Sequence, residues 1–448
     1  MGFFSAFGAK TFRHGIHPDP HKEETAGIPI KRMAFPPRLY LHLDQFIGKP
    51  ARSIVTRGQE VVRGEPIAEP DDFVSVPLHA PATGVVKGIE LVPSVRGPRS
   101  PAIIIDVHEG SAQEVLYAMP HQLALLPRED LLRAMQRTGV VGLGGAAFPT
   151  HVKYASSPSG EHQVDTLVVN GAECEPFLTA DHRVMLEQPK DIIRGIHYAM
   201  RVTGANEAII GIEDNKMDAV EVLRKHLRPQ FPIRVEVVRA KYPQGAEKML
   251  IKSLLDRDVP PGELPKSVGV VVSNVSTLAQ LGLLLLRGEG LIERVMTVVG
   301  AGVKTPGNYR VPIGTPLRFI LRQVGYEGKR ARVILGGPMM GMAVSDLDTP
   351  VTKGVSGILV LDEPEVSDEK PRIWPCIKCA RCVDACPMKL NPSMLGLLAA
   401  KREYEMMAER YNLSSCFECG CCSFVCPSHI PLVQYFRIAK AVNREKNV

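Results

Sequence analysis

Residues 375–387, PCIKCARCVDACP, and residues 416–427, CFECGCCSFVCP, carry the pattern that determines the C-terminal fold. Both stretches have the spacing Cys-x2-Cys-x2-Cys-x3-Cys-Pro, which is the bacterial spacing for a pair of cubane [4Fe–4S] clusters. Three cysteines on one tight loop bind three irons of one cube. The fourth cysteine, which precedes proline, points to the other cube. The two stretches therefore predict a C-terminal domain with two clusters.

This crossed pattern divides eight cysteines into two ligand sets. The first set is Cys376, Cys379, Cys382 and Cys426, and the second is Cys416, Cys419, Cys422 and Cys386. Zinc and disulfides are the alternatives, but zinc sites have looser spacings and disulfides do not suit a cytosolic compartment. Cys421 is left over, and we interpret it as a buried residue that binds no metal.

Length and composition exclude several classes of protein. The chain has 448 residues, 23% of them charged and 45% hydrophobic, which is ordinary for a folded protein of three or four domains. A net charge of +6 and a single tryptophan do not favour a nucleic-acid binder. No apolar run reaches the length of a membrane span, and the N-terminus lacks a signal-peptide pattern. We therefore expect a cytoplasmic protein that docks peripherally.

Changes in periodicity along the chain predict its domains. An extended segment covers residues 1–35, and short strands with Gly and Pro turns over 36–115 predict a small barrel or sandwich. Helices and strands alternate over 120–290, which predicts an α/β layer with a largely parallel sheet. Residues 291–355 form a small α/β unit, a charged linker follows at 363–374, and 365–448 is the cysteine domain. There the sequence predicts one continuous helix from Ser393 to Tyr411.

A glycine-rich stretch, GLGGAAFPTHVK at 142–153, is a candidate ligand loop. Glycines let backbone N–H groups approach a phosphate or a flat ring, and Lys153 adds a compact cation. The sequence NGAECEP follows at 170–176, where a strand ends, and side chains at such an end are placed to bind a ligand. Glu173 and Glu175 are therefore candidates, with solvent-exposed turn residues as the alternative. Cys174 between them is interpreted as a small packing residue.

These segments resemble a known family. GLGGAAFPTHVKY at 142–154 and NGAECEPFLTADHRVMLE at 170–187 are similar to the C subunit of the Rnf electron-transport complex and to the flavin-bearing NADH-oxidising subunit of respiratory complex I. YPQGAEK at 242–248, SNVSTL at 273–278 and GIHPDP at 15–20 extend the resemblance over nearly the whole chain. The barrel favours the Rnf family.

The resemblance implies a multidomain α/β and α+β fold. Its parts are an N-terminal barrel-sandwich hybrid, a Rossmann-like flavin/NADH domain, a β-grasp (SLBB) domain and a helical di-cluster ferredoxin domain. The barrel resembles lipoyl-type carriers, but the tip EPDDFVSV at 69–76 has no lysine. We therefore expect no swinging arm.

The family also implies site residues for a non-covalent FMN with NAD(H) stacked over it. Expected FMN contacts are Gly142, Gly144, Gly145, Lys153, Asn170, Gly245, Asn274 and Thr277. Phe148 is expected to stack on NAD(H), with a core aromatic as the alternative, and Glu175 to bind its ribose. Glu173 and Glu247 complete the candidate set. Complex I relatives carry two adjacent acids where this chain has only Glu247.

The resemblance implies a peripheral protein that couples ferredoxin oxidation to NAD⁺ reduction and ion translocation. Its partners would be the integral-membrane and iron–sulfur subunits of an Rnf complex, with ferredoxin acting indirectly. A soluble flavin/iron–sulfur reductase, such as a cobalamin reductase, is the alternative enzyme. An electron-wire adaptor without flavin is the non-enzymatic alternative. Flavin content separates the adaptor from the enzymes, and co-purification with membrane subunits separates the two enzymes.

Overall fold

The structure is a computed structural model that describes residues 9–95, 97, 99–119, 123, 126–155, 163–327, 331–362 and 372–446. Four folded units follow one another along these residues. The predicted start of the cysteine domain at 365, and most of the predicted linker, lie outside the described residues. In the described part of the chain, no helix is both long enough and apolar enough to cross a bilayer.

The N-terminal segment is extended, as the prolines predict, but it does not stand alone. It contains helix α1 (Glu23–Ala26) and strand β1 (Lys31–Arg32). Before them, Lys10 forms an isolated parallel bridge with Val238, and Ile16 forms an antiparallel one with Tyr242. The segment therefore joins surfaces of domains that lie far away in the sequence.

The barrel consists of two small antiparallel sheets. Its strands are β2 (Arg38–His42), β3 (Arg52–Ser53), β4 (Glu60–Val61), β5 (Pro66–Glu69), β6 (Leu78–His79), β7 (Gly84–Pro93) and β8 (Arg99–Val107). The sheet orders are β2-β8-β7-β4 and β3-β5-β6. The tip between β5 and β6 lies against the next domain, because the Phe73 carbonyl pairs with His151 Nε2 at 2.8 Å.

The α/β domain has a fully parallel four-stranded sheet, as the alternating pattern predicts, in the order β11-β10-β9-β12. Its strands are β9 (Thr166–Gly171), β10 (Glu207–Glu213), β11 (Ile233–Val238) and β12 (Val270–Asn274). Its helices are α2 (Arg128–Arg137), α3 (Thr150–Tyr154), α4 (Ala180–Glu187), α5 (Pro189–Thr203), α6 (Met217–His226), α7 (Glu247–Leu255) and α8 (Val275–Arg287). Asn170 and Asn274 are register partners at the carboxyl ends of adjacent strands.

The third domain has a mixed sheet that takes strands from beyond the predicted segment 291–355. Its own elements are β13 (Glu293–Gly300), β14 (Gly307–Pro312), α9 (Leu317–Gln323), β15 (Ala331–Leu335), β16 (Met342–Val344) and β17 (Gly357–Asp362). The sheet order is β1-β14-β13-β17-β15-β16. Strand β17 lies past residue 355 and is central, and β1 comes from the N-terminal segment.

The cysteine domain is helical and compact. Its helices are α10 (Arg381–Asp384), α11 (Pro392–Ala400), α12 (Tyr404–Glu409), α13 (Cys421–Phe424) and α14 (Leu432–Lys446). The prediction of one continuous helix over 393–411 is wrong, because Arg402 adopts a left-handed φ of 60° and separates α11 from α12. The break turns the chain so that Met407 is buried in the domain core.

Lys353 joins three of these domains through one buried ammonium group. Its Nζ donates to the carbonyls of Pro77 in the barrel, at 3.0 Å, and Gly139 in the α/β domain, at 2.7 Å. Its backbone N–H donates to the side chain of Gln45 at 3.0 Å. Burial lowers the pKa of Lys353 from 10.5 to about 7. The contact therefore depends on a lysine whose charge is costly to bury.

Stability should depend on pH through this lysine. Between about pH 7 and 10.5 the unfolded chain holds a proton that folded Lys353 has released, so stability rises with pH by at most about 1.4 kcal/mol per unit. Lys353→Met should remove this part of the slope of melting temperature against pH. It also loses two hydrogen bonds, but that loss is independent of pH. Exposed Lys225→Met is the control; parallel slopes for wild type and Lys353→Met would contradict the assignment.

Candidate functional site

A cleft of about 850 Å³ lies where all four folded units meet. This volume is within the usual range for a cofactor or substrate site, about 300–1,000 Å³. The α/β domain supplies the glycine loop at 144–147 and residues 245–248. The third domain supplies residues 335–337 and 340–342, the barrel supplies Gln45, and the cysteine domain supplies residues 414–417. One cleft thus borders both the candidate flavin loop and the second cysteine stretch.

The glycine loop presents unused backbone donors to this cleft. In the described part of the chain, the N–H groups of exposed Gly144, Gly145 and Ala146 donate to no protein acceptor. Gly145 has a φ of 116°, which disfavours a side chain. Successive free N–H groups of this kind form an anion-binding concavity.

The loop is held in place from behind. The Leu143 N–H donates to Thr277 Oγ1 at 2.9 Å. Arg294, which is 3% exposed, donates to the carbonyls of Leu143 and Val355 and so connects the loop to the opposite wall. Burial lowers the pKa of Arg294 to about 10. Its charge still persists at neutral pH and adds positive potential beside the cleft.

The side chains at the two strand ends hold other parts of the protein. Asn170 Nδ2 donates to the Gly245 carbonyl at 2.8 Å, which positions a glycine of the cleft wall. Asn274 caps α8 by accepting from the N–H groups of Ser276 and Thr277. It also donates to Asp181 at 2.7 Å. Both asparagines therefore shape the cleft from behind its surface.

The two acids after β9 have different roles. Glu173 is buried, and its carboxylate accepts from the N–H groups of Asp181 at 2.9 Å and His182 at 3.2 Å, in the first turn of α4. Burial raises the pKa of Glu173 to about 7. Glu175 lines the cleft and accepts from the N–H groups of Met339 and Met340 at 3.1 and 2.8 Å. Neither acid is a solvent-exposed turn residue.

Lys153 lies at the edge of the site in an ion pair with Glu247. Both side chains are partly exposed, at 31% and 43%. Glu247 begins α7 and lines the cleft, whereas Lys153 reaches it only through this partner. Phe148 is half-buried, and its carbonyl accepts from the Gly142 N–H at 2.8 Å; its ring does not line the cleft.

The structure thus brings some of the candidate cofactor residues to the cleft and places others behind it. Those that line the cleft are Gly144, Gly145, Glu175, Gly245 and Glu247. Those that lie behind or beside it are Gly142, Phe148, Lys153, Asn170, Glu173, Asn274 and Thr277. The contacts of all twelve with FMN or NAD(H) stay predictions.

Several residues at this site could not be identified from the sequence. Three of them belong to domains other than that of the glycine loop: Gln45 to the barrel, Arg294 to the third domain and Phe417 to the cysteine domain. The sequence GGPMMGM at 336–342 contains three methionines among glycines, and Met340 and Met342 line the cleft with 43% and 48% exposure. Exposed methionines at a cleft are a usable signal, since they suit adaptable apolar contacts.

The cysteines form two groups, each around its own cavity. The outer group, Cys376, Cys379, Cys382 and Cys426, surrounds about 280 Å³. The inner group, Cys386, Cys416, Cys419 and Cys422, surrounds about 20 Å³ together with Cys421. This division is the one expected from the crossed spacing. Among the described residues, no three His, Cys, Asp or Glu side chains form a single-ion site, so the thiols surround cavities and do not converge on one point.

Cys421 and Cys174 lie in a small apolar cluster between domains. Cys421 is fully buried, packs with Ile16 and Tyr242, and its thiol is hydrogen-bonded to that of Cys419. The Cys174 thiol accepts from the Gly245 N–H at 3.2 Å, and burial raises its pKa. Cys174 therefore packs against the cleft wall.

Tyr242 connects the cleft wall to the inner group. Its hydroxyl donates to the carbonyl of Cys419 at 2.6 Å, and the chain continues from it directly to Gly245. Burial raises the pKa of the Tyr242 phenol, which keeps it a neutral donor. The structure thus holds the cleft and the inner cysteines in a fixed relation.

Family models match the four units in the predicted order. Residues 10–109 match the RnfC barrel sandwich hybrid domain, and residues 135–282 match the Nuo51 FMN-binding domain. Residues 295–343 match the SLBB domain, and residues 375–430 match a 4Fe-4S dicluster domain. The predicted fold class is confirmed.

Curated relatives resemble the chain over nearly its full length. It is 42% identical over 438 residues to the C subunit of the proton-translocating ferredoxin:NAD(+) oxidoreductase complex of Clostridium ljungdahlii, covering 97% of this chain and 94% of the relative. It is 39% identical over 383 residues to the C subunit of the Na(+)-translocating complex of Acetobacterium woodii, covering 85% and 86%. The corresponding C subunit of the ion-translocating oxidoreductase complex of Haemophilus influenzae is 37% identical, covering 96% of this chain and 52% of that protein.

Among solved structures, the NAD+-reducing [NiFe]-hydrogenase in its H2-reduced state has a similar fold. The TM-score is 0.50 at 20% identity, covering 71% of this chain and 63% of the hydrogenase chain. At this identity the likeness concerns the fold alone.

Tyr242→Phe should destabilise the junction between the cleft wall and the inner group. It removes the hydrogen bond to the carbonyl of half-buried Cys419, at a cost of about 0.5–1.5 kcal/mol, or roughly 2–4 °C per kcal/mol for a domain of 150–250 residues. Apparent melting temperature and limited proteolysis of the C-terminal domain measure the effect. Tyr411→Phe is the control, because in the described part of the chain the Tyr411 hydroxyl has no hydrogen bond. Equal melting temperatures for the two variants would contradict the assignment.

Proposed function

The chain belongs to the RnfC family, the C subunits of the ion-translocating ferredoxin:NAD(+) oxidoreductases, and from this premise we propose how its cleft and cysteines work together. It is an oxidoreductase subunit with an FMN-binding domain and two iron–sulfur cluster motifs. FMN, when bound, supplies the conversion between hydride transfer and single-electron transfer, which iron–sulfur clusters alone cannot perform. We propose that NAD(H) exchanges a hydride in the 850 Å³ cleft and that single electrons pass through the cysteine domain.

The residues of the cleft fit a flavin phosphate and ring. The free N–H groups of Gly144, Gly145 and Ala146, with Arg294 behind the loop, provide positive potential for an anion. A Cβ at Gly245 would lie 2.4 Å from the Ala172 carbonyl, so this part of the wall accepts only glycine. Met340 and Met342 offer apolar surface for a flat ring.

The cysteine groups fit two clusters by the chemistry of their donors. Each group provides four thiols around its own cavity. When Cys419 is a thiolate ligand, its sulfur can still accept the hydrogen bond from the Cys421 thiol. We propose the outer group and the inner group as the two sets of [4Fe–4S] ligands.

The observation that carries the proposal is that Cys416 and Phe417 line the same cleft as the glycine loop. The inner group is thus adjacent to the proposed flavin site, whereas the cysteines of the outer group are not among the described residues that line the cleft. This order defines a route from the cleft through the inner group to the outer group.

We further propose that the chain works on the cytoplasmic face of the cell membrane as a peripheral protein. Its partners would be the integral-membrane and iron–sulfur subunits of the complex, and the net reaction would be ferredoxin oxidation coupled to NAD⁺ reduction and ion translocation. The names of its relatives support this role.

Anaerobic purification of the full chain tests the cofactors. We expect stoichiometric FMN and about eight irons per chain, four for each cubane. Cys382→Ser should lose about half of the iron, whereas Cys421→Ser should lose none. Iron near four or below in the wild type would contradict two clusters. Purification without membrane partners from the native cell would favour a soluble reductase instead.

The role of Lys153 can be separated from that of its ion pair. If Lys153 holds the FMN phosphate, Lys153→Ala should weaken FMN binding about ten- to a hundredfold, because a charge-assisted hydrogen bond contributes about 1.5–3 kcal/mol. Glu247→Gln is the matched control, since it removes the same ion pair but keeps the cation. It should retain FMN. A small and equal loss of FMN affinity in both variants would contradict phosphate binding by Lys153. Such a loss is what removal of a partly exposed ion pair alone would give. Fluorescence titration measures the affinity.

A further inference from the structure

The second cysteine stretch contains a fifth cysteine that lies against the inner group. Cys421 is fully buried and lines the inner cavity together with the four thiols of that group. Its thiol is hydrogen-bonded to that of Cys419, one of the four. The two proposed ligand sets already contain eight cysteines, so Cys421 completes neither of them. Its place beside Cys419 therefore points to an effect on a ligand sulfur and not to metal binding.

The surroundings of Cys421 keep its thiol next to Cys419. Cys421 begins helix α13, and its side chain packs in an apolar cluster with Ile16 and Ala385. Apolar side chains compete for no hydrogen bond, so the thiol keeps the acceptor that it has in Cys419. Independently, the Tyr242 hydroxyl donates to the Cys419 carbonyl at 2.6 Å. Separate contacts therefore hold each of the two cysteines in place.

The chemistry of the pair decides which sulfur donates. A cysteine that binds iron is a thiolate, and a thiolate has no proton to give. Burial among apolar side chains keeps the thiol of a non-ligating cysteine protonated. In the cluster-loaded protein, Cys421 is therefore the donor and the Cys419 sulfur is the acceptor. This hydrogen bond is stronger than one between two neutral thiols, because its acceptor carries charge.

The first cysteine stretch has a different residue at the matching position. When the two stretches are aligned by their spacing, Arg381 precedes Cys382 where Cys421 precedes Cys422. Arg381 is exposed, so water and salt screen its charge. Among the described residues, no side chain donates a hydrogen bond to a sulfur of the outer group. The thiol donor thus distinguishes the inner group from the outer group.

We propose that Cys421 is a positioning residue that donates a hydrogen bond to the Cys419 ligand and thereby raises the reduction potential of the inner cluster. This inference rests on the proposed function, in which the inner group holds a [4Fe–4S] cluster. Reduction adds one negative charge to the cluster, and a donor to a ligand sulfur stabilises that charge. Because the inner group is adjacent to the proposed flavin site, the raised potential favours an electron on the cluster beside the flavin.

The test uses the full, cofactor-loaded chain and a redox titration followed by electron paramagnetic resonance. Cys421→Ala removes the donor and keeps Cβ, whereas Cys421→Ser keeps a hydroxyl donor. Ile16→Val is the matched control, because it shortens a buried side chain of the same apolar cluster without removing a thiol. Cys382→Ser identifies the outer cluster as the signal that this variant loses. Iron analysis shows whether each of the other variants holds both clusters.

At a fixed potential, the ratio of reduced to oxidised inner cluster should fall about three- to tenfold in Cys421→Ala, where tenfold corresponds to about 59 mV for a one-electron couple. Cys421→Ser should keep more of the wild-type ratio than Cys421→Ala. The outer cluster in both variants, and both clusters in Ile16→Val, should match wild type. An unchanged inner potential in Cys421→Ala, or an equal shift in Ile16→Val, would overturn the proposal.

Two further results separate the alternatives. Loss of the inner cluster in both Cys421 variants would overturn the proposal in favour of iron ligation by Cys421. A wild-type chain with a single cluster signal would instead refute the two-cluster function on which this inference depends.

Discussion

One ammonium group from the N-terminal segment holds the loop on which the domains meet. Lys22 Nζ donates to the carbonyls of Glu173 and Glu175, at 2.7 and 3.0 Å, and to that of Leu178. These three bonds use all the donors of an ammonium, and burial lowers its pKa. The loop so formed places the Glu173 carboxylate on α4 and the Glu175 carboxylate against the third domain. Lys22 thereby connects the N-terminal segment to the loop that supplies Glu175 and Leu178 to the cleft.

The same principle recurs at two other buried cations. Lys353 joins carbonyls of the barrel and the α/β domain, and Arg294 joins the glycine loop to Val355. A buried cation is costly unless it is fully hydrogen-bonded, and carbonyl oxygens of separate domains meet that need only when the domains are correctly placed. Each cation therefore favours one relative arrangement of its neighbours. Arg294, which stays charged at neutral pH, adds positive potential near a cleft that is proposed to take an anionic cofactor.

Close approach between domains also depends on glycine at two positions. A Cβ at Gly337 would lie 2.2 Å from the Glu175 carboxylate, and one at Gly420 would lie 3.1 Å from the Met339 carbonyl at a φ of 85°. The turn at 336–342 is thereby held between the loop after β9 and the inner cysteines. This contact brings the cysteine domain to the cleft, so the relation between cleft and clusters is a property of the packing.

The sequence by itself determined the local elements, the order of the domains and the two cysteine sets. Periodicity and glycine or proline punctuation report backbone preferences within a few residues, and the cysteine spacing is itself a local geometric requirement. The sequence did not predict the break between α11 and α12 at Arg402, because this break depends on the packing of Met407 in the core of the cysteine domain. Nor did it determine that Asn170, Glu173 and Asn274 hold the protein together behind the cleft, or that Lys22, Arg294, Lys353 and Tyr242 position it. The Glu173 carboxylate meets N–H groups only 8 and 9 residues further on. The other roles depend on partners 60 to more than 200 residues away, and only the tertiary structure decides which distant carbonyl a buried donor meets.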